Sequence, residues 1–288
     1  MEAKQLSLSR GTFNLRDRGN AGGLPLVMIH GWPESSYCWE AITPFLDERL
    51  RVIAPDLRGL GDSERTMNPD SYRKQELAKD VIEIIHHLGL DRFFLAGHDW
   101  GGAVAQEVAI AIPDRVSRLV IMNIPIITNL RGNTEALKVM RSRGSVPFWY
   151  QYFQQQPELA EAMIPGNEEV WIRHFFGKEG REGRIPAEAI TEYVRCYRIE
   201  NTPATGAFYY RTMRQDQKRW VELAGRRFTV PSLYIYGNRD IVIIPEYLNY
   251  LEECFENIKL VEMNAGHFVQ EEQPETVAAA MNEFLVSS

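Results

Sequence analysis

The sequence predicts an α/β fold: a mostly parallel central sheet with helices on both faces and an inserted helical cap. Three observations predict it. Short apolar runs alternate with amphipathic stretches over about the first 125 residues, the rhythm breaks between about residues 128 and 217, and it then resumes to the end. One α/β core (residues 1–128 and 217–288) split by a helical lid (residues 129–216) accounts for this better than two tandem domains.

The apolar runs at residues 24–29, 51–54, 92–96 and 118–122 are short, rich in Val, Ile, Leu or Phe, and stop beside Gly, Pro or Asn. They read as buried strands. Between them, residues 72–88 place Leu77, Val81, Ile84, Ile85 and Leu88 on one helical face, and Gly89 ends the helix. Residues 102–111, Gly-Ala-Val-Ala-Gln-Glu-Val-Ala-Ile-Ala, form a small-residue helix suited to close packing on a sheet. Strand, helix and strand at this spacing argue for parallel pairing. The insertion is polar and aromatic, as in Phe148-Trp149-Tyr150-Gln151-Tyr152-Phe153. After it, residues 231–236 and 258–263 read as strands and residues 274–285 as a closing helix.

Composition removes several classes of function. Of 288 residues, 44% are hydrophobic and 25% charged, the balance of a globular protein. The net charge of −7, with no basic block, argues against nucleic-acid or anionic-membrane binding. No apolar run reaches the roughly 18 residues of a membrane span, and the first residues lack a secretory signal's profile. Cys38, Cys196 and Cys254 match no metal or redox spacing and read as free thiols. A cytoplasmic protein is expected.

The chemistry concentrates at Gly97-His98-Asp99-Trp100-Gly101, where an apolar strand runs into a small-residue helix. Small residues two before and two after Asp99 permit the sharp strand-to-helix turn of a nucleophile elbow, usually written G-x-S-x-G. Asp in place of Ser changes the reaction. A serine attacking a saturated carbon would form an inert ether, whereas a carboxylate forms an ester that water can cleave. The elbow therefore points to an electrophilic sp³ carbon, as in an epoxide or alkyl halide. The alternative role for Asp99 is to cap the helix that follows.

Such an ester needs a base, and six histidines are available. His86 and His87 end an amphipathic helix, His174 lies in the aromatic insert, His98 points away from its neighbour Asp99, and His30 suits a structural hydrogen bond. His267, in Asn264-Ala265-Gly266-His267, follows the last strand, at the carboxyl edge where open α/β sheets bind ligands. Asp240, in Gly237-Asn238-Arg239-Asp240, leaves the preceding strand at the same edge and can orient it. The backbone N–H groups of Trp32 and Trp100 would supply an oxyanion hole. Pro33 in His30-Gly31-Trp32-Pro33 requires an extended or cis junction after Trp32.

These residues resemble the epoxide hydrolase branch of the α/β-hydrolase superfamily over nearly the whole chain. His30-Gly31-Trp32-Pro33 is similar to the family's H-G-x-P, residues 97–102 to its nucleophile motif, and Asp99, Asp240, His267 to its order of nucleophile, acid and base. The resemblance implies two cap tyrosines that hold the epoxide oxygen. Tyr150 is the better match for the first, with Tyr152 in reserve, and Tyr210, in Phe208-Tyr209-Tyr210-Arg211, is the second. It also implies a small apolar epoxide and water as reactants, no cofactor or metal, and a monomer or homodimer. Haloalkane dehalogenases share the Asp elbow but commonly carry Asn where this chain has Trp32. Haloacid dehalogenases of the same superfamily carry arginines just after the nucleophile, and this chain has Trp100 and Ala103 in that neighbourhood. A hydrolase-fold ligand receptor is the non-enzyme alternative.

Overall fold

Among the described residues, six strands arise from the six apolar runs; five of them are buried and written as nearly continuous hydrophobic sequence, while the edge strand Ile258–Met263 is mostly exposed. The computed structural model describes residues 1–142 and 148–286. β3 (Leu24–Ile29), β4 (Leu50–Pro55), β5 (Phe93–His98), β6 (Val116–Met122), β7 (Ser232–Gly237) and β8 (Ile258–Met263) pair in parallel. An antiparallel hairpin of β1 (Glu2–Leu8) and β2 (Gly11–Arg18) extends one edge, giving the order β1-β2-β4-β3-β5-β6-β7-β8.

The register aligns the carboxyl ends. Ile29 pairs with Gly97, His98 with Met122, Met122 with Ile235, and Gly237 with Met263. The segments that follow β3, β5, β6, β7 and β8 therefore leave the sheet at one edge, and every core residue of the candidate site lies on them.

Helices α1 (Lys74–His87) and α2 (Trp100–Ala111) connect strands within the first half, and α2 is buried over nearly its whole length. Among the described residues, seven helices enter between β6 and β7: α3 (Leu130–Ser142), α4 (Trp149–Gln155), α5 (Leu159–Met163), α6 (Glu168–Arg181), α7 (Ala187–Tyr197), α8 (Thr202–Arg211) and α9 (Met213–Glu222). α6 is kinked at Gly177 (φ 36°), and α9 runs on past the 216/217 division expected from sequence. α10 (Val269–Glu272) and α11 (Pro274–Val286) close the chain. Among the described residues no helix is long and apolar enough to cross a membrane. All three cysteines are free and buried.

Candidate active site

The turn between β5 and α2 holds Asp99 at φ 47° and ψ −131°, a left-handed conformation that a non-glycine residue adopts at a cost of about 1–3 kcal/mol. The turn is crowded on every side. A methyl group on Gly101 would run into the carbonyl of His30, and one on Gly31 would strike the Asp99 side chain. Asp99 makes no side-chain cap to α2, so the capping role is absent. Its carboxylate is instead divided between two partners. Oδ1 accepts from the Trp32 N–H at 2.9 Å, and Oδ2 lies 3.4 Å from Nε2 of His267. The Trp32–Pro33 bond is cis.

On its other side His267 places Nδ1 2.6 Å from Oδ2 of Asp240. Burial alone would lower the His267 pKa, but Asp240 and Asp99 outweigh it and hold the imidazole well above its usual range. Asp240 is buried too. The His267 charge and hydrogen bonds from Asn123 and the Val242 N–H overcome its desolvation and keep its pKa low.

The phenols of Tyr150 (α4) and Tyr210 (α8) line the same cavity of about 260 Å³ as Asp99, Asp240 and His267. Burial raises the pKa of both phenols, keeping them protonated donors at neutral pH. The Trp32 ring stacks on Tyr150, with centroids 5.6 Å apart, and meets Tyr210 edge-on at 5.2 Å. Trp149, Phe175, Phe268, Ile241 and Val242 supply most of the apolar wall. Tyr152, two positions along α4, faces the other way and is 60% exposed, so the reserve donor is not brought to the site. His174 packs edge-on against Trp149 and Phe175 at the cavity wall.

His30 is buried and bridges two backbone segments: Nδ1 lies 2.8 Å from the Gly31 carbonyl, and Nε2 accepts from the Leu57 N–H at 2.9 Å. His98 points away from Asp99, with Nε2 2.8 Å from the His267 carbonyl and Nδ1 2.9 Å from Oε2 of Glu34. Burial pushes the His98 imidazole down to about 4, so it is neutral. A carbonyl only accepts, so Nε2 carries the hydrogen and Nδ1 is left as an acceptor. Donors stand on that side: burial pushes the Glu34 carboxyl up to about 8, and the Gln270 Nε2 lies 3.3 Å from the same Nδ1.

Two polar residues of this site escaped the sequence reading. Glu34, which directly follows His30-Gly31-Trp32-Pro33, also accepts from the Gly31 N–H at 3.3 Å, and so ties the oxyanion loop through His98 to the His267 loop. Asn123 follows β6 at φ 41°; its Nδ2 donates to Oδ2 of Asp240 at 2.7 Å, and its Oδ1 accepts from the Gly237 N–H at 2.9 Å. The signal for Asn123 was its position at the carboxyl end of a strand beside the elbow.

Residues 25–274 match the family described as the alpha/beta hydrolase fold. The chain is 34% identical over 260 residues to the soluble epoxide hydrolase of Corynebacterium sp. (strain C12), covering 88% of this chain and 87% of that one. It is 27% identical over 299 residues to epoxide hydrolase A of Mycobacterium tuberculosis, covering 93% and 92% of the two chains. Among solved structures, the epoxide hydrolase CorEH superposes with a TM-score of 0.83 at 32% identity, covering 98% of both chains. Epoxide hydrolase A from Mycobacterium thermoresistibile superposes with a TM-score of 0.84 at 26% identity, covering 99% and 98%. The chain therefore belongs to the α/β-hydrolase superfamily and, within it, to the epoxide hydrolase group.

Proposed function

We propose that the protein converts an epoxide and water to a vicinal diol through an alkyl ester on Asp99. The divided carboxylate of Asp99 carries this reading. Oδ1 already occupies the Trp32 amide, where an oxyanion would form, which leaves Oδ2 as the attacking atom. Oδ2 forms a bond to a ring carbon as the C–O bond of the epoxide breaks. The phenols of Tyr150 and Tyr210 both hydrogen-bond the ring oxygen, and one of them gives it a proton and is left as phenolate.

Ester formation also readies the second step. The His267 pKa is held up in part by the Asp99 charge, and alkylation removes that charge. The imidazolium then gives up its proton more easily, restoring the phenolate left by ring opening, and the neutral imidazole, oriented by Asp240, takes a proton from water. The hydroxide adds to the ester carbonyl, and the Trp32 and Trp100 amides hold the resulting oxyanion. Collapse expels the diol oxygen, which takes the proton back from the His267 imidazolium, and the Asp99 carboxyl keeps one oxygen from water and returns its own proton to the imidazole.

The cavity supports a small apolar substrate. It is smaller than the roughly 300–1,000 Å³ of drug-sized sites, and aromatic rings form much of its wall. In this reading residues 129–216 act as the lid, no cofactor takes part, and the enzyme works in the cytoplasm as a monomer or homodimer.

The decisive experiment is the intact mass of a His267→Gln variant after exposure to epoxides and haloalkanes. The expected result is an adduct equal to one whole epoxide, mapped to Asp99. An adduct equal to an alkyl group without its halide would indicate a haloalkane dehalogenase. Saturable binding with no adduct and no turnover by the unsubstituted protein would indicate a ligand receptor.

A further inference from the structure

Lys74, the first residue of α1, is fully buried although it carries an ammonium group. Buried lysines are rare and depend on close partners. Its partners come from the inserted helices. Nζ donates to Oδ2 of Asp216 on α9 at 2.9 Å, to the Tyr209 carbonyl on α8, and to Oγ1 of Thr212 at 3.4 Å. Asp216 Oδ1 also accepts the Lys74 N–H at 2.9 Å, satisfying an orphan donor at the start of α1.

Two of these placements bear on the chemistry. The Tyr209 carbonyl belongs to the peptide joining Tyr209 to Tyr210, so Lys74 fixes the backbone from which the Tyr210 phenol projects. The ammonium also lies 4.0 Å from the centroid of the Trp100 ring, over its face. A cation held there withdraws electron density from the indole and makes its N–H a stronger donor. That ring meets Tyr210 at 74° with centroids 5.7 Å apart, so the indole lies directly against the phenol.

We propose that Lys74 is a positioning residue for ring opening: its buried ammonium, fixed by Asp216, sets Tyr210 through the Tyr209 carbonyl and strengthens the Trp100 indole donor facing that phenol. The inference rests on the epoxide hydrolase reading and adds to it a charge outside the cavity that acts on the first chemical step and not the second. A tie between helices needs no charge. A charge stacked on the residue after the nucleophile has an electrostatic consequence that an apolar tie would lack.

The test is single-turnover tryptophan fluorescence with styrene oxide on a Lys74→Met/Asp216→Asn variant, which removes both charges together. Folding is checked by thermal unfolding. The expected outcome is ester formation slowed on the order of 10- to 100-fold, with ester hydrolysis within about threefold of the unsubstituted protein. Equal slowing of both steps would mean a purely structural role, and unchanged ester formation would also overturn the proposal. If the double variant does not fold, Trp100→Phe decides, because it keeps a ring beneath the ammonium and removes the N–H. It should show the same selective loss, and normal ester formation there overturns the proposal. Absence of any ester in the unsubstituted protein defeats the epoxide reading and this inference together. Normal ester formation in the folded variant defeats this inference alone.

Discussion

The backbone N–H of Trp32 donates to Oδ1 of Asp99 at 2.9 Å, so the two oxygens of one carboxylate have different fates before any substrate arrives. One sits where negative charge will later develop, and the other is left to attack. Preorganised donors of this kind need no rearrangement at the moment of reaction.

The division predicts where oxygen from water ends up. With enzyme in excess over epoxide in ¹⁸O-labelled water, the first diol should carry no label and the peptide containing Asp99 should gain one ¹⁸O. Label in that first diol would mean that water attacks the ring directly. Asp99→Ala should abolish turnover; unchanged diol formation would falsify the nucleophile assignment.

The phenols should matter to one step only. Tyr150→Phe and Tyr210→Phe should each slow ester formation on the order of 10- to 100-fold, and the double variant should nearly stop it. Tyr152→Phe, at the outward position, should leave the rate within about twofold. Rapid-quench measurement of the ester would show whether the correct pair was chosen.

Asn123 should be felt in both stability and turnover. Asn123→Gly tolerates the positive φ but strands the Gly237 N–H and removes a donor from Asp240. The expected destabilisation is about 1–3 kcal/mol by thermal unfolding. Ester hydrolysis should slow by roughly tenfold, because Asp240 is held less firmly. A variant of native stability and rate would show that water or another group takes over both bonds.

Glu34 gives the protein a pH signature. Its folded pKa of about 8 lies above the ordinary 4.5. The stability it contributes is therefore fully present below about pH 4.5 and is lost as pH rises through about 8. Glu34→Gln keeps the shape and removes one of two neighbouring buried carboxyls, leaving Glu271, which is itself raised by burial and by Glu34. Relative to the unsubstituted protein it should gain stability between pH 5 and 8, on the order of 1–3 kcal/mol. Parallel denaturation midpoints for the two proteins across that range would show that Glu34 does not titrate there.

Six strands and the Asp99–Asp240–His267 order were legible because runs of apolar residues and the elbow's spacing are local properties of the chain. β1 and β2 were not. β1 is mostly exposed and carries charged and polar residues, as edge strands do to discourage association. Lys74 was hidden for the opposite reason, since a lysine at a helix start reads as solvated until α8 and α9 close over it. Asn123 reaches Asp240, and Glu34 reaches His98, across more than 60 positions of chain. Tyr150 and Tyr152 were separable once α4 was known to be helical, because residues two apart face different sides.

The insertion between β6 and β7 also sets an order of events during synthesis. About 110 residues separate the end of β6 from the start of β7. At roughly 5–20 residues per second, the ribosome needs about 5–20 s to deliver the next partner for the sheet. During that interval the elbow and Asp99 are complete in sequence, while β6, the strand between β5 and β7 in the finished sheet, has one unpaired apolar edge. The acid and base emerge last, so the nascent chain holds a nucleophile long before it holds the means to release a product.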